Sequence, residues 1–508
     1  MLPRRAGGIL LAACLGISGA GCGLLLGVSS WQDVSCADNC GADGSADGPV
    51  GNDSTTDSSD GGQGDSNLSD TSPGADAPAD ALDSGPEPDA ADPYHPINQS
   101  SYWATFDVST LDGGARGFLG GTFDGRYVYL APHGLAGAPS GVVTRLDTQA
   151  DGGFGTRASW QTFDTSTIDG GAGASGYQGA VYDNVHERVY LVPDNDGVAD
   201  GIVAVYPTGS AGDAGVLPFS NASSWSTYAP VVGDAGALAG FAGGTFDGQY
   251  LYLVPSNNGA PDGIAARLDT NQPFASPSSW SSFDMTKIPG PGARAVSYLG
   301  AVYTGSLVLF APTAYPQGAG TVPSGWVVDY APSAQPFATG TWQPFEVNVI
   351  PTGGNAGGFR GVAFDGRYAY FVPNSSGTLH AVVARYDSTG QFTDNGSWSF
   401  FDAQQLPAAG ATGFFGGAFD GRYIYLIPNA NTLLVRYDTT IAGPNAFTTA
   451  SSWSTYDMTS LVAGKGPFAG AVFDGEFLYF VPQNSGVVTR FDARSPPMQV
   501  PMQTGSFF

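Results

Sequence analysis

Three acidic side chains in one short segment have the spacing of a calcium-binding loop. Asp194, Asp196 and Asp200 lie in the stretch DNDGVADG, and closely spaced carboxylate oxygens are ligands that Ca²⁺ prefers. The remainder of an EF-hand pattern is missing, so a solvated turn is the competing interpretation. Calcium is therefore a candidate ligand of these three residues, and the sequence requires no cofactor.

Four basic residues stand outside the repeated positions of the chain and suggest an anionic ligand. Arg116, Arg294, Arg360 and Lys465 each lie just before or within a glycine-rich segment. If these segments converge, the four cations would attract a ligand such as an acidic glycan. Isolated surface charges are the competing interpretation. Trp326 replaces an aliphatic residue of related segments, and it either stacks on a sugar or fills the core.

The sequence offers little support for catalysis. The four histidines, His95, His133, His186 and His380, are widely separated, and we expect no cluster of them. Gly-x-Ser-x-Gly and His-Glu-x-x-His motifs and a phosphate-binding loop are missing. The formal net charge of -27 and the lack of a basic stripe disfavour nucleic acid as a partner.

Seven related segments organise most of the chain. The first is FLGGTFDGRYVYLAP, which starts at Phe118, and its relatives start at Tyr177, Phe241, Tyr298, Phe359, Phe414 and Phe468. Seven tryptophans accompany them at intervals of 55 to 65 residues, from Trp103 to Trp453. This period is typical of one four-stranded sheet in a repeat protein.

The segments predict an all-β, seven-bladed β-propeller with four-stranded antiparallel blades. In the first unit we expect strands at 118–123, 126–131, 142–147 and 160–164. The Asp124-Gly125 pair indicates a hairpin, for which a type I′ turn is the expectation. Paired glycines such as Gly120-Gly121 suit the innermost strand, where blades crowd the axis.

Arginine and aspartate recur two residues apart on the third predicted strand, as in Arg145 and Asp147. The pattern occurs in five units, whereas a single catalytic site needs no such repetition. We interpret it as an ion-pair and turn network within each blade.

The order of elements predicts how the ring closes. Trp103 precedes the first glycine-rich strand, and no tryptophan segment follows Asp492. Residues 102–107 are therefore expected to form the outer strand of the last blade, beside residues 487–492.

The N-terminus has the layout of a secretory signal. Two arginines within residues 1–5 precede a run without charges from Ala6 to Ser30. Cys22, or alternatively Cys14, fits a bacterial lipobox cysteine that would be lipidated, and an uncleaved membrane anchor is the other interpretation. The boundaries are then 1–22 for the signal, 23–96 for a linker and 97–508 for the propeller.

The linker is rich in Asp, Gly, Ser and Pro, a composition that predicts disorder. It carries fifteen acidic residues between Asp33 and Asp92, more than half of the net charge. Cys36 and Cys40 could form a local disulfide in an oxidising compartment.

The units resemble kelch-like propeller repeats, with Gly-Gly, then Tyr, then Trp, although the Trp comes later than in kelch repeats. The phrases [FY]-D-G-R-Y-x-Y-[LF]-x-P and R-[YF]-D-T are similar to those of secreted bacterial propeller lipoproteins. The resemblance implies a fold and an extracytoplasmic, membrane-anchored location.

The sequence thus favours a monomeric, non-catalytic binding or scaffolding propeller whose ligand is a glycan or an envelope protein. A polysaccharide lyase or hydrolase and a purely structural envelope protein are the alternatives.

Overall fold

The computed structural model describes residues 92–135, 138–168, 173–194, 201–209, 218–333, 336–375, 378–462 and 466–500. In these residues the chain forms seven four-stranded antiparallel sheets. The first strand of each sheet contacts the first strands of the two neighbouring sheets, and blade one contacts blade seven, so the sheets form a closed ring. The predicted seven-bladed β-propeller is confirmed.

The strands of the blades have the expected alternation of aromatic and aliphatic residues. In blade one their bounds lie within one residue of those predicted. The first strands, which are innermost, are Phe118–Phe123, Tyr177–Asp183, Phe241–Phe246, Tyr298–Tyr303, Phe359–Phe364, Phe414–Phe419 and Phe468–Phe473. The second strands are Tyr127–Pro132, Arg188–Pro193, Tyr250–Pro255, Val308–Pro312, Tyr368–Pro373, Tyr423–Pro428 and Phe477–Pro482. The third strands are Val142–Asp147, Val203–Pro207, Ile264–Asp269, Trp326–Tyr330, Val382–Asp387, Leu433–Asp438 and Val487–Asp492.

The fourth strands of blades one to six are Trp160–Asp164, Ser226–Tyr228, Trp280–Asp284, Trp342–Glu346, Trp398–Asp402 and Trp453–Asp457. The fourth strand of blade seven is Trp103–Asp107, which pairs antiparallel with Val487–Asp492. The predicted closure by an N-terminal strand is confirmed. The preceding residues also contact the ring, because His95 Nδ1 lies 2.9 Å from Asp492 Oδ1.

Shorter elements lie between the main strands. The two-residue and four-residue strands are Gly134–Leu135, Ala138–Pro139, Val231–Val232, Gly236–Ala237, Ala314–Gln317 and Gly320–Pro323. One α-helix is described, Thr459–Val462. The 3₁₀ helices are Ser100–Tyr102, Val108–Thr110, Arg157–Ser159, Thr165–Thr167, Ala222–Ser224, Gly233–Ala235, Pro277–Ser279, Met285–Lys287, Gly292–Arg294, Val347–Val349, Asn395–Ser397, Ala403–Gln405 and Ala450–Ser452.

A β-bulge near the start of every first strand requires glycine. The third residue of each strand is a glycine with positive φ, for example 79° at Gly120 and 109° at Gly361, a conformation that costs other residues free energy. The crowding predicted at the paired glycines is also present. A Cβ on Gly121 would overlap the carbonyl oxygen of Tyr129 and lie 3.0 Å from Val472 of blade seven.

The hairpin after the first strand differs from the predicted type I′ turn. A type I′ turn needs positive φ at both central residues, but only Gly125 has it, at 100°. The carboxylate of Asp124 stabilises the hairpin by accepting hydrogen bonds from the backbone N–H of Arg126 and Tyr127 and from the Tyr129 hydroxyl. Aspartate thus serves as a side-chain cap of the turn.

The repeated aspartate takes part in an ion pair and a turn within its blade, as predicted, whereas the repeated arginine does not. Asp147 accepts a 2.7 Å hydrogen bond from Arg126 of the adjacent strand. Arg145 instead lies between the Tyr127 ring, 4.0 Å away, and the Phe219 ring of the next blade, 4.2 Å away. The arginine therefore joins neighbouring blades, while the aspartate holds the hairpin.

Candidate functional site

One end of the channel carries a ring of polar residues that do not follow the repeat. They are the residues that directly follow the last proline of each second strand, and we call them the mouth ring: His133, Asp194, Ser256, Thr313, Asn374, Asn429 and Gln483. Six of them donate a backbone hydrogen bond of 2.9 to 3.2 Å to the carbonyl of the residue preceding a first strand. These six residues therefore lie at the same level along the channel axis, where the innermost strands begin.

Contacts within the mouth ring cross from blade to blade. His133 Nε2 lies 3.3 Å from Asp194 Oδ2. The Asn374 amide donates to the Phe414 carbonyl of the next blade at 2.8 Å. The Asn429 amide donates to Gln483 Oε1 at 2.6 Å. These bonds hold side chains of different chemistry at fixed positions around one opening.

A strained residue lies beside the mouth ring between blades three and four. Ser297 has a φ of 55°, whereas glycine takes the positive φ at the corresponding Gly117, Gly176 and Gly240. Its hydroxyl donates to the Ser256 carbonyl at 3.2 Å. Backbone strain in a residue other than glycine is concentrated at functional sites.

Below the mouth ring the second residues of the first strands converge on the axis. We call them the axial ring: Leu119, Gln178, Ala242, Leu299, Arg360, Phe415 and Ala469. Leu119, Phe415 and Ala469 form one buried cluster against which Leu299 packs. Because these four residues come from blades one, six, seven and four, they can meet only at the centre of the ring.

Arg360 is the one charged residue of the axial ring. Its guanidinium carbon lies 5.3 Å from the centroid of the Phe415 ring. Burial lowers the pKa of the Arg360 guanidinium below its usual value. The side chain remains a cation at neutral pH, because an arginine titrates far above that range.

The two other predicted basic residues that the structure describes, Arg116 and Arg294, do not gather around Arg360. Arg294 donates to the carbonyl oxygens of Pro291 and Gly290, and its guanidinium carbon lies 4.8 Å from the centroid of the Trp326 ring. Arg116 is exposed beside a groove of about 380 Å³ in blade one. Lys465 lies outside the described residues.

The structure brings Trp326 into contact with Arg294, a pairing that the sequence did not indicate. Trp326 is partly buried at the start of the third strand of blade four. Its indole nitrogen is buried without a hydrogen-bond partner among the described residues. The tryptophan thus forms one wall of a cation–aromatic cluster that also includes Tyr315, whose ring centroid lies 6.0 Å from the Arg294 guanidinium carbon.

The calcium prediction and the N-terminal predictions fall partly or wholly outside the described chain. Asp194 contacts His133, while Asp196 and Asp200 are not described. No group of three or more His, Cys, Asp or Glu side chains that could hold a metal occurs in the described ranges. Cys14, Cys22, Cys36 and Cys40 precede residue 92. No helix from residue 92 onward, in the part described, has the length and apolar character to cross a membrane.

Blades two and four lack the arginine that joins neighbouring blades. Val205 replaces it in blade two, where a cavity of about 610 Å³ is lined by His186, Arg188, Val205 and Phe274, among others. Asp329 replaces it in blade four and is 1% exposed. The departures from the repeat therefore coincide with a cavity between blades two and three and with a buried carboxyl group in blade four.

The mouth ring is the candidate site that sequence reasoning missed. Its signal was present, because the residue after each second-strand proline is polar in all seven units but changes from unit to unit. Seven polar groups above a partly buried cation can bind the hydroxyl, amide and anionic groups of a ligand. The paired His133 and Asp194 could also move a proton.

Comparisons with known proteins find structural similarity at low sequence identity and carry no function. No protein-family model matches the chain, and no curated protein matches it. A streptogramin B lyase structure is 13% identical, covers 77% of this chain and 98% of its own, and superposes with a TM-score of 0.48. The β-propeller domain of Cps50 (Swd1) from Myceliophteria thermophila is 8% identical, covers 74% of this chain and 96% of its own, and has a TM-score of 0.42. The WD40 domain of coronin from Toxoplasma gondii is 13% identical, covers 77% of this chain and 80% of its own, and has a TM-score of 0.39.

Proposed function

We propose that the protein is a non-catalytic binding or scaffolding propeller that engages a glycan or a protein through the face bearing the mouth ring. The observation that supports this proposal is the mouth ring itself. The strands and hairpins of blades one, three, five, six and seven follow one pattern, whereas this ring presents seven side chains of six different types. Polar variation around one opening is expected where a rigid scaffold carries a binding surface.

The proposal includes display at the cell envelope. The signal-like residues 1–22, with lipidation at Cys22 or Cys14, would anchor the chain. The acidic linker 23–96 would hold the propeller, of kelch-like or related secreted type, away from the membrane. Labelling of cells with a radioactive fatty acid should modify the protein, and Cys22→Ser should abolish the label if Cys22 is the anchor; a label that is never incorporated would refute lipidation.

Binding is tested on glycan and envelope-protein arrays with the purified protein. A ligand of the mouth ring should be retained by the unsubstituted protein and lost when Ser256→Ala and Gln483→Ala are combined. Arg367→Ala is the matched control, because Arg367 lies in the hairpin at the opposite end of a blade, where it pairs with Asp387 at 2.7 Å. Equal loss in both variants would contradict binding at the mouth ring, and absence of any ligand would favour a purely structural role.

A second candidate function is an extracytoplasmic polysaccharide lyase or hydrolase. The observation that favours it is the contact of His133 with Asp194 in the same opening that contains Arg360. In a lyase, His133 would remove the C5 proton next to a uronate carboxylate, the C4–O glycosidic bond would break, and the products would be a C4–C5 double bond and a sugar released with a free hydroxyl group. Release of unsaturated product from acidic polysaccharides, measured by ultraviolet absorbance and lost in His133→Ala, would support catalysis over simple binding.

A further inference from the structure

Arg360 is placed at the channel axis by the geometry of the first strand of blade five. It precedes Gly361, whose φ of 109° forms the bulge shared by all seven first strands. The corresponding residues of blades one, six and seven are buried together at the centre. The contact of Arg360 with Phe415 joins it to this group. Its guanidinium is therefore presented to the channel near the mouth ring.

Arg360 has no counter-charge among the described residues. No hydrogen bond or ion pair of its guanidinium is found there, and burial alone accounts for its lowered pKa. Other arginines of the fold are satisfied: Arg126, Arg367 and Arg422 each bind a carboxylate of the adjacent strand. A partly buried cation without a partner is costly, so a mobile anion entering the channel would be bound favourably.

We propose that Arg360 binds the carboxylate of an acidic glycan that enters the channel at the mouth ring. This inference rests on the proposed binding function and specifies its ligand. A guanidinium forms two parallel hydrogen bonds with a carboxylate. The hydroxyl and amide groups of Ser256, Thr313 and Gln483 are suited to the neutral hydroxyl groups of the same sugar chain.

The surroundings favour a ligand that presents one carboxylate to the channel, as a uronic-acid residue of a glycan does. The mouth ring holds one acidic residue, Asp194, which already contacts His133. The axial ring adds one cation and one amide, Arg360 and Gln178, to apolar neighbours. One carboxylate of the sugar chain therefore matches the single unpaired cation at the axis, and the other carboxylates of a longer chain would remain outside the channel, in solvent.

The chain itself supplies substitutions that fit the Arg360 position. Gln178 and Leu119 occupy the equivalent site in blades two and one, so Arg360→Gln and Arg360→Leu should fold. Arg116→Gln is the matched control, since it removes the same charge from an exposed position in blade one. Circular dichroism and the melting temperature establish that all variants are folded before binding is measured.

The probe is trigalacturonate, with neutral galactotriose as the comparison ligand, in calorimetric titrations of the full-length protein. Arg360→Gln and Arg360→Leu should each weaken trigalacturonate binding by about 10- to 100-fold, the factor expected for a lost charge-assisted hydrogen bond. Arg116→Gln should retain the affinity, and galactotriose should bind the unsubstituted protein as weakly as trigalacturonate binds the Arg360 variants.

Several results would overturn the inference. One is unchanged trigalacturonate affinity in both Arg360 variants, and another is failure of the unsubstituted protein to bind trigalacturonate at millimolar concentration. In either case the proposed function stands if a different ligand, for example a peptide with a free carboxyl terminus, is lost when the mouth ring is substituted. Loss of every ligand response would remove both proposals.

Discussion

The buried carboxyl group of Asp329 should make stability depend on pH. Asp329 occupies the position where five blades have the arginine that joins neighbouring blades. Its Oδ1 accepts a 3.1 Å hydrogen bond from the Gln343 N–H, and its Oδ2 is buried without a hydrogen-bond partner among the described residues. Burial raises the pKa of Asp329 to about 7, against the hydrogen bond from Gln343, which lowers it.

The direction of the effect follows from the raised pKa. The folded protein holds Asp329 protonated, whereas the unfolded chain releases the proton near the ordinary pKa of 3.8. The stabilising contribution is therefore fully present below the unfolded pKa and is lost as the pH rises toward 7. A difference of about three pKa units corresponds to a loss of about 4 kcal/mol in the free energy of unfolding.

The test compares Asp329→Asn with the unsubstituted protein in urea unfolding at several pH values. The amide cannot ionise, so the variant should gain stability relative to the unsubstituted protein by several kcal/mol between about pH 4 and about pH 8. A constant difference over this range would refute the argument. Any fixed cost of burying the amide does not matter, because only the change with pH is used.

Asp387→Asn provides a control of opposite sign. Burial tends to raise the pKa of Asp387, but hydrogen bonds from Arg367 and Thr389 dominate and lower it to about 2. Its stabilising contribution is present above the unfolded pKa and is lost as the pH falls toward 2. Asp387→Asn should therefore destabilise the protein at neutral pH, with a penalty that shrinks in acid.

Three further predictions concern the scaffold. Trp103→Ala should lower the free energy of unfolding by about 3 to 5 kcal/mol, because Trp103 packs 4.6 Å from the Phe491 ring in the closing strand; an unchanged melting temperature would argue against closure by this strand. Gly179→Ala should cost about 1 to 3 kcal/mol, since its φ is 102°, and Gly155→Ala, where a Cβ meets open space, should be nearly neutral in the same denaturation assay. Tyr425→Phe should cost about 1 to 3 kcal/mol in urea unfolding, because it removes the 2.7 Å hydrogen bond to the buried Asp420; equal stability would show that Asp420 does not need this donor.

The repeat made most of the scaffold predictable. Asp124-Gly125 marked a hairpin because the turn and the alternation of its flanking strands are local properties of the chain. The closing strand followed from counting the strands of each unit. Trp103 begins a fourth strand that precedes the first unit, so this strand can complete only the last blade. The contacts of individual side chains were harder to predict from the sequence. Arg145 and Asp147 share a strand face, yet each is bound by residues of a different strand or blade.

The aspartates after the tryptophan strands act as local caps. Asp107 Oδ1, for example, accepts from the Ser109 backbone N–H at 3.0 Å. Such contacts depend on residues two positions apart, and the sequence alone specifies them.

The candidate site required the tertiary structure. Arg116, Arg294 and Arg360 occupy similar places in their units, but only Arg360 lies on an innermost strand, and its place at the centre depends on how seven sheets pack. Arg360 reaches the centre because the bulge at Gly361 presents the preceding residue to the channel. The mouth ring likewise forms only when the ring closes and brings His133 beside Asp194. Sequence by itself determined the blade, its turns and the number of copies, because these depend on local conformation and periodic burial. Which of the side chains outside the repeat meet each other was decided only by closure of the ring.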